Sequence, residues 1–255
     1  ALFTQALKAR AAAYYATEGG GASYWTTAST ALAASFLNGS VTTRAALDAG
    51  VYDIYSTAPG DINNTLSQAT NTDLYAHMSI QADAQKQADG TTPDLRYTTK
   101  IRTAATRLAP QNLAASSSLG FSIWPSLTTP IPIIRNEELI LLRAEARLAT
   151  GDKAGAIADI NTIRTVSGGL APTPLTAAAT SDEILTELLY NKRYSLLMEG
   201  HRWVDLRRYG RLNTLPLDIT TGTNTHFVPK VMPIPQAECL QRAPYPTGNL
   251  HGPGC

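Results

Sequence analysis

The stretch Arg135-Asn136-Glu137-Glu138-Leu139-Ile140-Leu141-Leu142-Arg143-Ala144-Glu145-Ala146 decides most of the fold. Its apolar residues recur at helical spacing, and Glu137 and Glu138 lie in the first turn, where the helix dipole favours carboxylates. We expect a helix that begins with Asn136 as N-cap and runs to about Thr150. Charged residues therefore occupy a helix that also carries the apolar core.

The residues that follow predict two further helices. The turn Gly151-Asp152 leads into a helix from about Lys153 to Val166, and the resulting antiparallel hairpin resembles one tetratricopeptide unit in its spacing. Thr180 and Glu183 form a capping box, which opens a long helix that ends at Gly200.

The first 130 residues give weaker patterns. Residues 2–16 and 23–37 predict helices, and residues 72–86 are compatible with a third. Residues 97–101 and 116–134 are predicted to be extended, the second segment interrupted by prolines. Taken over the chain, the patterns indicate a mostly α fold with long loops and few short strands.

Composition sets limits on the class of protein. The chain has 255 residues, of which 44% are hydrophobic and 16% charged, so it has enough apolar material for a folded core. A formal net charge of +1 argues against nucleic-acid binding, which normally uses a basic surface. Low charge combined with abundant Ala, Thr and Ser is typical of exported bacterial proteins. Because the chain opens on Ala1, we expect a processed or truncated product.

The two cysteines, Cys239 and Cys255, lie near the C-terminus. Their spacing does not match a zinc site, so we expect a disulfide that ties down the Pro- and Gly-rich tail. The alternative is two unrelated thiols.

Known catalytic and metal-binding motifs are absent from the sequence. It contains no phosphate-binding loop, dinucleotide fingerprint, nucleophile elbow or His-Glu-x-x-His, so we expect no enzymatic activity and no cofactor. Asp89 and Asp94 offer oxygen atoms of the kind that calcium binds, but their loop differs from the EF-hand pattern and a solvated turn is the simpler interpretation. The four histidines are far apart and are interpreted as surface residues: His77, His201, His226 and His251.

Several motifs resemble the SusD/RagB family of bacterial surface proteins. The most recognisable is Glu199-Gly200-His201-Arg202-Trp203-Val204-Asp205-Leu206-Arg207-Arg208. The helix that starts near Asn136, the segment Ile160–Arg164 and the segment Pro233–Glu238 match family elements in the same order. Asp89–Arg96 is similar to a family turn that carries Asp and Arg.

This resemblance implies a SusD-like helical domain over residues 1–255, with 131–255 as the family core and strap and 1–130 less certain. It implies non-catalytic binding of a nutrient, often a glycan, for a SusC-like TonB-dependent transporter at the bacterial outer membrane. Family members are longer and begin with a lipid-modified cysteine. We therefore expect that an N-terminal part and the lipid anchor are missing, or that this is a shortened form.

The charged residues of the family motifs are interpreted as a structural ion network. They lie on helices with apolar neighbours, where partly buried ion pairs explain them better than ligand contact does. The predicted members are Arg143, Glu145, Arg193, Glu199, Arg202, Asp205 and Arg207. Trp203 is assigned to the core.

Ligand contacts are expected from loops, where aromatic rings stack on sugars beside polar partners. The candidates are Trp124, Tyr97, Asp94, Arg96 and Asn112. Trp25, Tyr75 and Tyr245 are weaker candidates, since each aromatic ring has core packing as its alternative role.

Three hypotheses for function remain. The first is non-catalytic nutrient or glycan binding. The second is a helical protein-interaction or assembly module at the cell surface that binds no small ligand. The third, less favoured, is a glycan hydrolase whose two carboxylates are brought together only by the fold.

Overall fold

The computed structural model describes residues 1–68, 74–108, 115–222, 225–231, 235 and 237–238. The α-helices are α1 Leu2–Tyr15, α2 Ser23–Ala33, α3 Arg44–Asp48, α4 Ser79–Ala82, α5 Leu95–Lys100, α6 Asn136–Ala149, α7 Lys153–Val166, α8 Ser181–Ser195 and α9 Arg202–Arg208. The strands are β1 Gly50–Asp53, β2 Ile101–Leu108, β3 Ser116–Phe121 and β4 Ile131–Arg135. The prediction of a mostly α fold with few short strands is confirmed.

Helix α6 lies at the centre of the core and buries two of its faces. Leu139 and Leu142 pack with the alanine-rich faces of α1 and α2. Ile140 and Leu141 pack with apolar residues of α7 and α8. Because small alanine side chains let α1 and α2 approach closely, most of α6 is removed from solvent.

The helical hairpin forms as the sequence predicts. Gly151, between α6 and α7, has φ +90°, a conformation that favours glycine over residues with a Cβ. Asp152 caps α7 by accepting a hydrogen bond of 2.9 Å from the Gly155 amide. The capping box of Thr180 and Glu183 at the start of α8 is also confirmed.

The start of α6 differs from the prediction. The N-cap is Arg135, and Asn136 is the first residue of the helix. The Asn136 side chain accepts from the Asn38 amide at 2.8 Å and donates to the carbonyls of Asn38 and Ala46 at 2.9 and 3.1 Å. The Asn136 side chain therefore binds the loop at Asn38 and helix α3 instead of capping its own helix.

The extended prediction for residues 97–101 is wrong over most of its length, because α5 runs from Leu95 to Lys100. Asp94 caps this short helix by accepting from the Arg96 amide at 2.9 Å. The Thr98 and Thr99 hydroxyls donate to the Leu95 carbonyl at 3.2 and 2.7 Å. These local bonds satisfy β-branched residues that would otherwise favour a strand.

Several helices are shorter than the sequence patterns predict. Helix α2 ends at Ala33, and within the described part of residues 72–86 the helix is limited to α4. Helix α8 ends at Ser195, and Met198, a few residues beyond it, adopts a φ of 65°. The left-handed backbone at Met198 prevents the helix from continuing to Gly200, where the sequence predicts its end.

The strands form antiparallel pairs, β1 with β4 and β2 with β3. Gly50 lies opposite Arg135, and a Cβ at Gly50 would come within 2.5 Å of the Ile134 carbonyl oxygen. Glycine is therefore required for the close approach of β1 to the strand that leads into α6.

No helix in the described ranges combines the length and the apolar character that crossing a bilayer requires.

Candidate ligand-binding site

Asp94 and Arg96, predicted to contact ligand, instead form an ion pair inside the protein. Both are 0% exposed. The Arg96 guanidinium donates to the Asp94 carboxylate and to Asn191 Oδ1 at 2.9 Å, and Tyr190 donates to Asp94 at 2.9 Å. This ligand-binding prediction needs correction, because the pair anchors α5 to α8 and has no surface for a ligand.

The other two described ligand candidates, Trp124 and Tyr97, do not form an exposed site either. Trp124 is 1% exposed, so its ring packs in the interior, and its ligand role is corrected in the same way. Tyr97 is half-buried and packs against the cluster that contains Ile80, Phe121 and Tyr194. Asn112 lies outside the described residues.

Glu145 is the centre of a buried group of charges that joins α6, α8 and α9. Lys192 lies 3.2 Å from Glu145 and 2.7 Å from Asp205. Arg208 contacts both carboxylates, and the Tyr209 hydroxyl donates to Glu145 at 2.6 Å. Burial alone would raise the pKa of Glu145, but Arg208 and Lys192 lower it, so the carboxylate stays ionised.

A second buried group surrounds Arg135. Its guanidinium contacts Glu137 and lies 2.9 Å from Glu199. Nearby, Lys100 donates to the carbonyls of Tyr194 and Ser195 at the end of α8. Burial, together with the positive charge of Arg135, lowers the pKa of Lys100 to about 7.

The other predicted network residues lie apart from these groups. Arg143 pairs with Asp159 at 2.7 Å, Arg193 with Asp83 at 2.6 Å, and Arg207 with Glu18 at 3.2 Å. The structure therefore divides the predicted network into separate ion pairs and clusters. Arg202 has no carboxylate within ion-pair distance in the part of the chain that the structure describes.

Lys192 and Arg208 are central to the Glu145 group but were missed from the sequence. Lys192 follows Leu188 by four residues and precedes Leu196 by four, which places it on the apolar face of α8. A charged residue on an apolar face is the signal that could have identified it, because such a charge needs a buried partner.

His201 also departs from its prediction as a surface residue. It is 7% exposed, and its Nδ1 lies 2.7 Å from the Tyr14 hydroxyl. Burial, with the positive charges of Lys192 and Arg10, lowers the pKa of His201 to about 2. The imidazole is therefore neutral at physiological pH and links α1 to the start of α9.

An open cavity of about 1360 Å³ lies beside α8 and α9. Its walls come from residues 75–83, the end of β3, the first residues of α9, residues 214–217 and residues 225–229. His77 lies 2.9 Å from Asp218, which holds the first of these segments to the loop beyond residue 217.

Aromatic rings line this cavity. Trp203 is half-buried, packs against the apolar cluster of Leu189, Leu206 and Leu212 as its assignment to the core predicts, and also lines the cavity. Its indole Nε1 donates to the Pro229 carbonyl at 3.1 Å, and Arg207 lies 5.6 Å from its ring centroid. Phe227 is 79% exposed, and Tyr75 contributes a third ring. Flat apolar surfaces beside polar groups are what sugar rings bind.

Three charged side chains complete the lining. Among the described lining residues, Arg193 and Arg202 are positive and Asp83 is negative, so these three side chains carry one excess positive charge. His226 Nε2 is buried and has no hydrogen-bond partner in the described structure.

The described residues give no basis for a metal site, since they contain no group of three or more His, Cys, Asp or Glu side chains that could hold an ion. Asp94 is bound to Arg96, and Asp89 accepts from the amides of Thr91 and Thr92 at 2.9 and 2.8 Å. Cys239 and Cys255 lie outside the described residues, so their disulfide stays a prediction.

Residues 125–244 match the SusD family, also written SusD/RagB. The fold is that of SusD-like proteins. The resemblance to the SusD/RagB family that the sequence motifs predict is confirmed over residues 125–244. No curated protein matches the sequence.

Solved structures share the fold at low sequence identity. A SusD superfamily protein from Bacteroides vulgatus is 17% identical with a TM-score of 0.53, covering 82% of this chain and 52% of that one. B. fragilis NanU is also 17% identical with a TM-score of 0.53, and the match covers 80% of this chain and 55% of NanU. A second SusD superfamily protein, from Bacteroides fragilis, has the same identity of 17% and TM-score of 0.53, and the match covers 80% of this chain and 53% of that protein. The chain therefore spans about half the length of these proteins.

Proposed function

We propose that this protein binds a nutrient at the bacterial cell surface without catalysis, and that the nutrient is a glycan or oligosaccharide. The match of residues 125–244 to the SusD family supports this proposal at the level of nutrient and glycan binding. The observation that carries it for this chain is the cavity lined by Trp203, Phe227 and Tyr75. Its volume of about 1360 Å³ exceeds that of a typical small-molecule pocket and suits several sugar units.

Phe227 provides the sharpest test of the site. Its ring is 79% exposed, so its removal leaves the core intact, whereas a stacked sugar would lose an apolar platform. We expect a glycan array to identify a ligand. Phe227→Ala should then lower the affinity for that ligand about tenfold in calorimetric titration.

Ile54→Ala is the matched control for this experiment. Ile54 is 78% exposed but does not line the cavity, so its replacement should leave affinity unchanged. Failure of every glycan to bind would contradict the proposal and favour the helical interaction module. Cleavage of a bound oligosaccharide would contradict the non-catalytic assignment.

The family also supports a proposal for partner and location. We propose delivery of the ligand to a SusC-like TonB-dependent transporter at the outer membrane, with attachment through a lipid anchor. We expect such a transporter to co-purify with the protein from detergent-solubilised outer membranes. Its absence from a purification that retains glycan binding would contradict this partner alone.

A further inference from the structure

Arg202 lines the cavity and has no anionic partner among the described residues. Its Nε is buried and has no hydrogen-bond acceptor in the described structure, and Nη1 donates only a long bond of 3.4 Å to the Leu189 carbonyl. The carboxylates whose charge acts on it are Asp205 and Asp83. Asp205 is bound by Lys192 and Arg208, and Asp83 by Arg193. Both are therefore committed to other cations.

Arg193, which lines the same wall, differs from Arg202 because its guanidinium has hydrogen-bond acceptors. Arg193 donates to Asp83 at 2.6 Å and to the Ser79 hydroxyl at 2.8 Å. Arg202 has neither type of contact. The excess positive charge of the lining is therefore located at Arg202.

Partial burial of an unpaired guanidinium is unfavourable for the ligand-free protein. Desolvation, with repulsion from Arg193, lowers the pKa of Arg202 to about 10, which still leaves it charged at neutral pH. A cation in this state gains from any anion that enters the cavity. His226 adds a second unsatisfied polar atom in the same wall.

We propose that the cavity binds an acidic saccharide, with Arg202 pairing with a carboxylate on the sugar while Trp203 and Phe227 contact its rings. A guanidinium matches a carboxylate because both are planar and can form two parallel hydrogen bonds. One excess positive charge in the wall balances one carboxylate. This inference rests on the proposed function, since it names the class of glycan that the same site takes.

A purely structural Arg202 would behave differently on replacement. Removing a desolvated and unpaired cation should leave thermal stability unchanged or raise it, as is common where a site is kept unsatisfied for its ligand. We expect Arg202→Met to melt at or above the wild-type temperature. A large drop in melting temperature would assign Arg202 to the scaffold and overturn the proposal.

The binding test uses an array of neutral, carboxylated and sulfated glycans, followed by titration of the strongest binder. We expect a carboxylated binder whose affinity falls at least about tenfold when its carboxylates are methyl-esterified, a comparison made on the wild-type protein. Arg202→Met should lose a similar factor. Arg211→Met is the control, because Arg211 pairs with exposed Asp182 and lies outside the cavity lining.

The outcomes separate the two proposals. Binding that survives esterification but is lost in Phe227→Ala would overturn the acidic ligand and leave glycan binding standing. Exclusive binding of sulfated glycans would also overturn the carboxylate assignment. An array without any binder would overturn the proposed function and this inference with it.

Discussion

His201 shows how a single residue connects burial with acid sensitivity. In the unfolded chain the His201 imidazole is protonated near its ordinary pKa of 6.5. In the folded protein its pKa is about 2, so it stays neutral until the pH is much lower. The unfolded state therefore binds more protons throughout this window, and stability falls as pH falls through it.

We expect the free energy of unfolding to fall between pH 7 and pH 4.5, with His201 contributing about 2–3 kcal/mol of the loss. His201→Asn places a hydrogen-bonding atom near the Nδ1 position but does not titrate. Urea denaturation at both pH values should therefore show a smaller loss for this variant than for the wild type. Equal losses in the two proteins would refute the assignment of acid sensitivity to His201.

At the scale of elements, buried charges fix the helices relative to one another. Glu145 on α6 contacts Lys192 on α8 and Arg208 on α9. Apolar packing alone is non-directional, whereas these bonds require specific distances between three helices. The group therefore specifies how α9, which carries the cavity residues Arg202 and Trp203, lies against the core.

Replacing Glu145 by Gln tests this role. The variant keeps the shape of the side chain but leaves Lys192 and Arg208 with one buried carboxylate fewer, and breaking buried pairs of this kind costs about 3–5 kcal/mol. We expect a loss of that size in chemical denaturation.

Asp182→Asn serves as the comparison, because Asp182 is the exposed partner of Arg211. Surface ion pairs contribute less than about 1 kcal/mol. If both variants lost the same small amount of stability, the Glu145 group would not hold the helices together.

At the scale of the whole molecule, the cavity lies where distant parts of the chain meet. Residues 75–83 reach it from the first half of the sequence, α8 and α9 from the second, and residues 225–229 from the C-terminal segment. Ala76 and Ile80 pack in one apolar cluster with Tyr194 of α8, and Val228 packs against another that contains Leu206 of α9. The hydrogen bond from Trp203 to Pro229 connects α9 to the C-terminal segment, and the contact of His77 with Asp218 connects residues 75–83 to the loop beyond residue 217.

Much of the fold was predictable, because its strongest elements are encoded locally. The apolar period of α6, the turn at Gly151 and the capping box at Thr180 act over a few residues, and the structure has all three. Predictions failed where local signals conflict. Helix α5 contains β-branched threonines that favour a strand, but its cap at Asp94 and the Asp94–Arg96 contact with α8 stabilise a helix.

The candidate site was much less predictable. Asp94, Arg96 and Trp124 are residue types that bind sugars, but sequence does not show whether such a side chain is buried or exposed. Phe227 and His226 lie in an irregular segment without a pattern to mark them. The sequence predicts the core contact of Trp203 but not its second role at the cavity, because the cavity forms only when residues 75–83 and 225–229 are in place.

The sequence by itself determined the helical class, the resemblance to the SusD/RagB family and the need for buried charge, since periodicity, caps and motifs depend on residues close along the chain. Tertiary structure decided which charges pair, which aromatic rings stay exposed and which cation has no partner. These properties depend on distances and burial between segments far apart in sequence. Arg143 and Arg202 both lie in family motifs on predicted helices. The fold places a carboxylate 2.7 Å from Arg143, whereas Arg202, at the cavity, has none within ion-pair distance among the described residues.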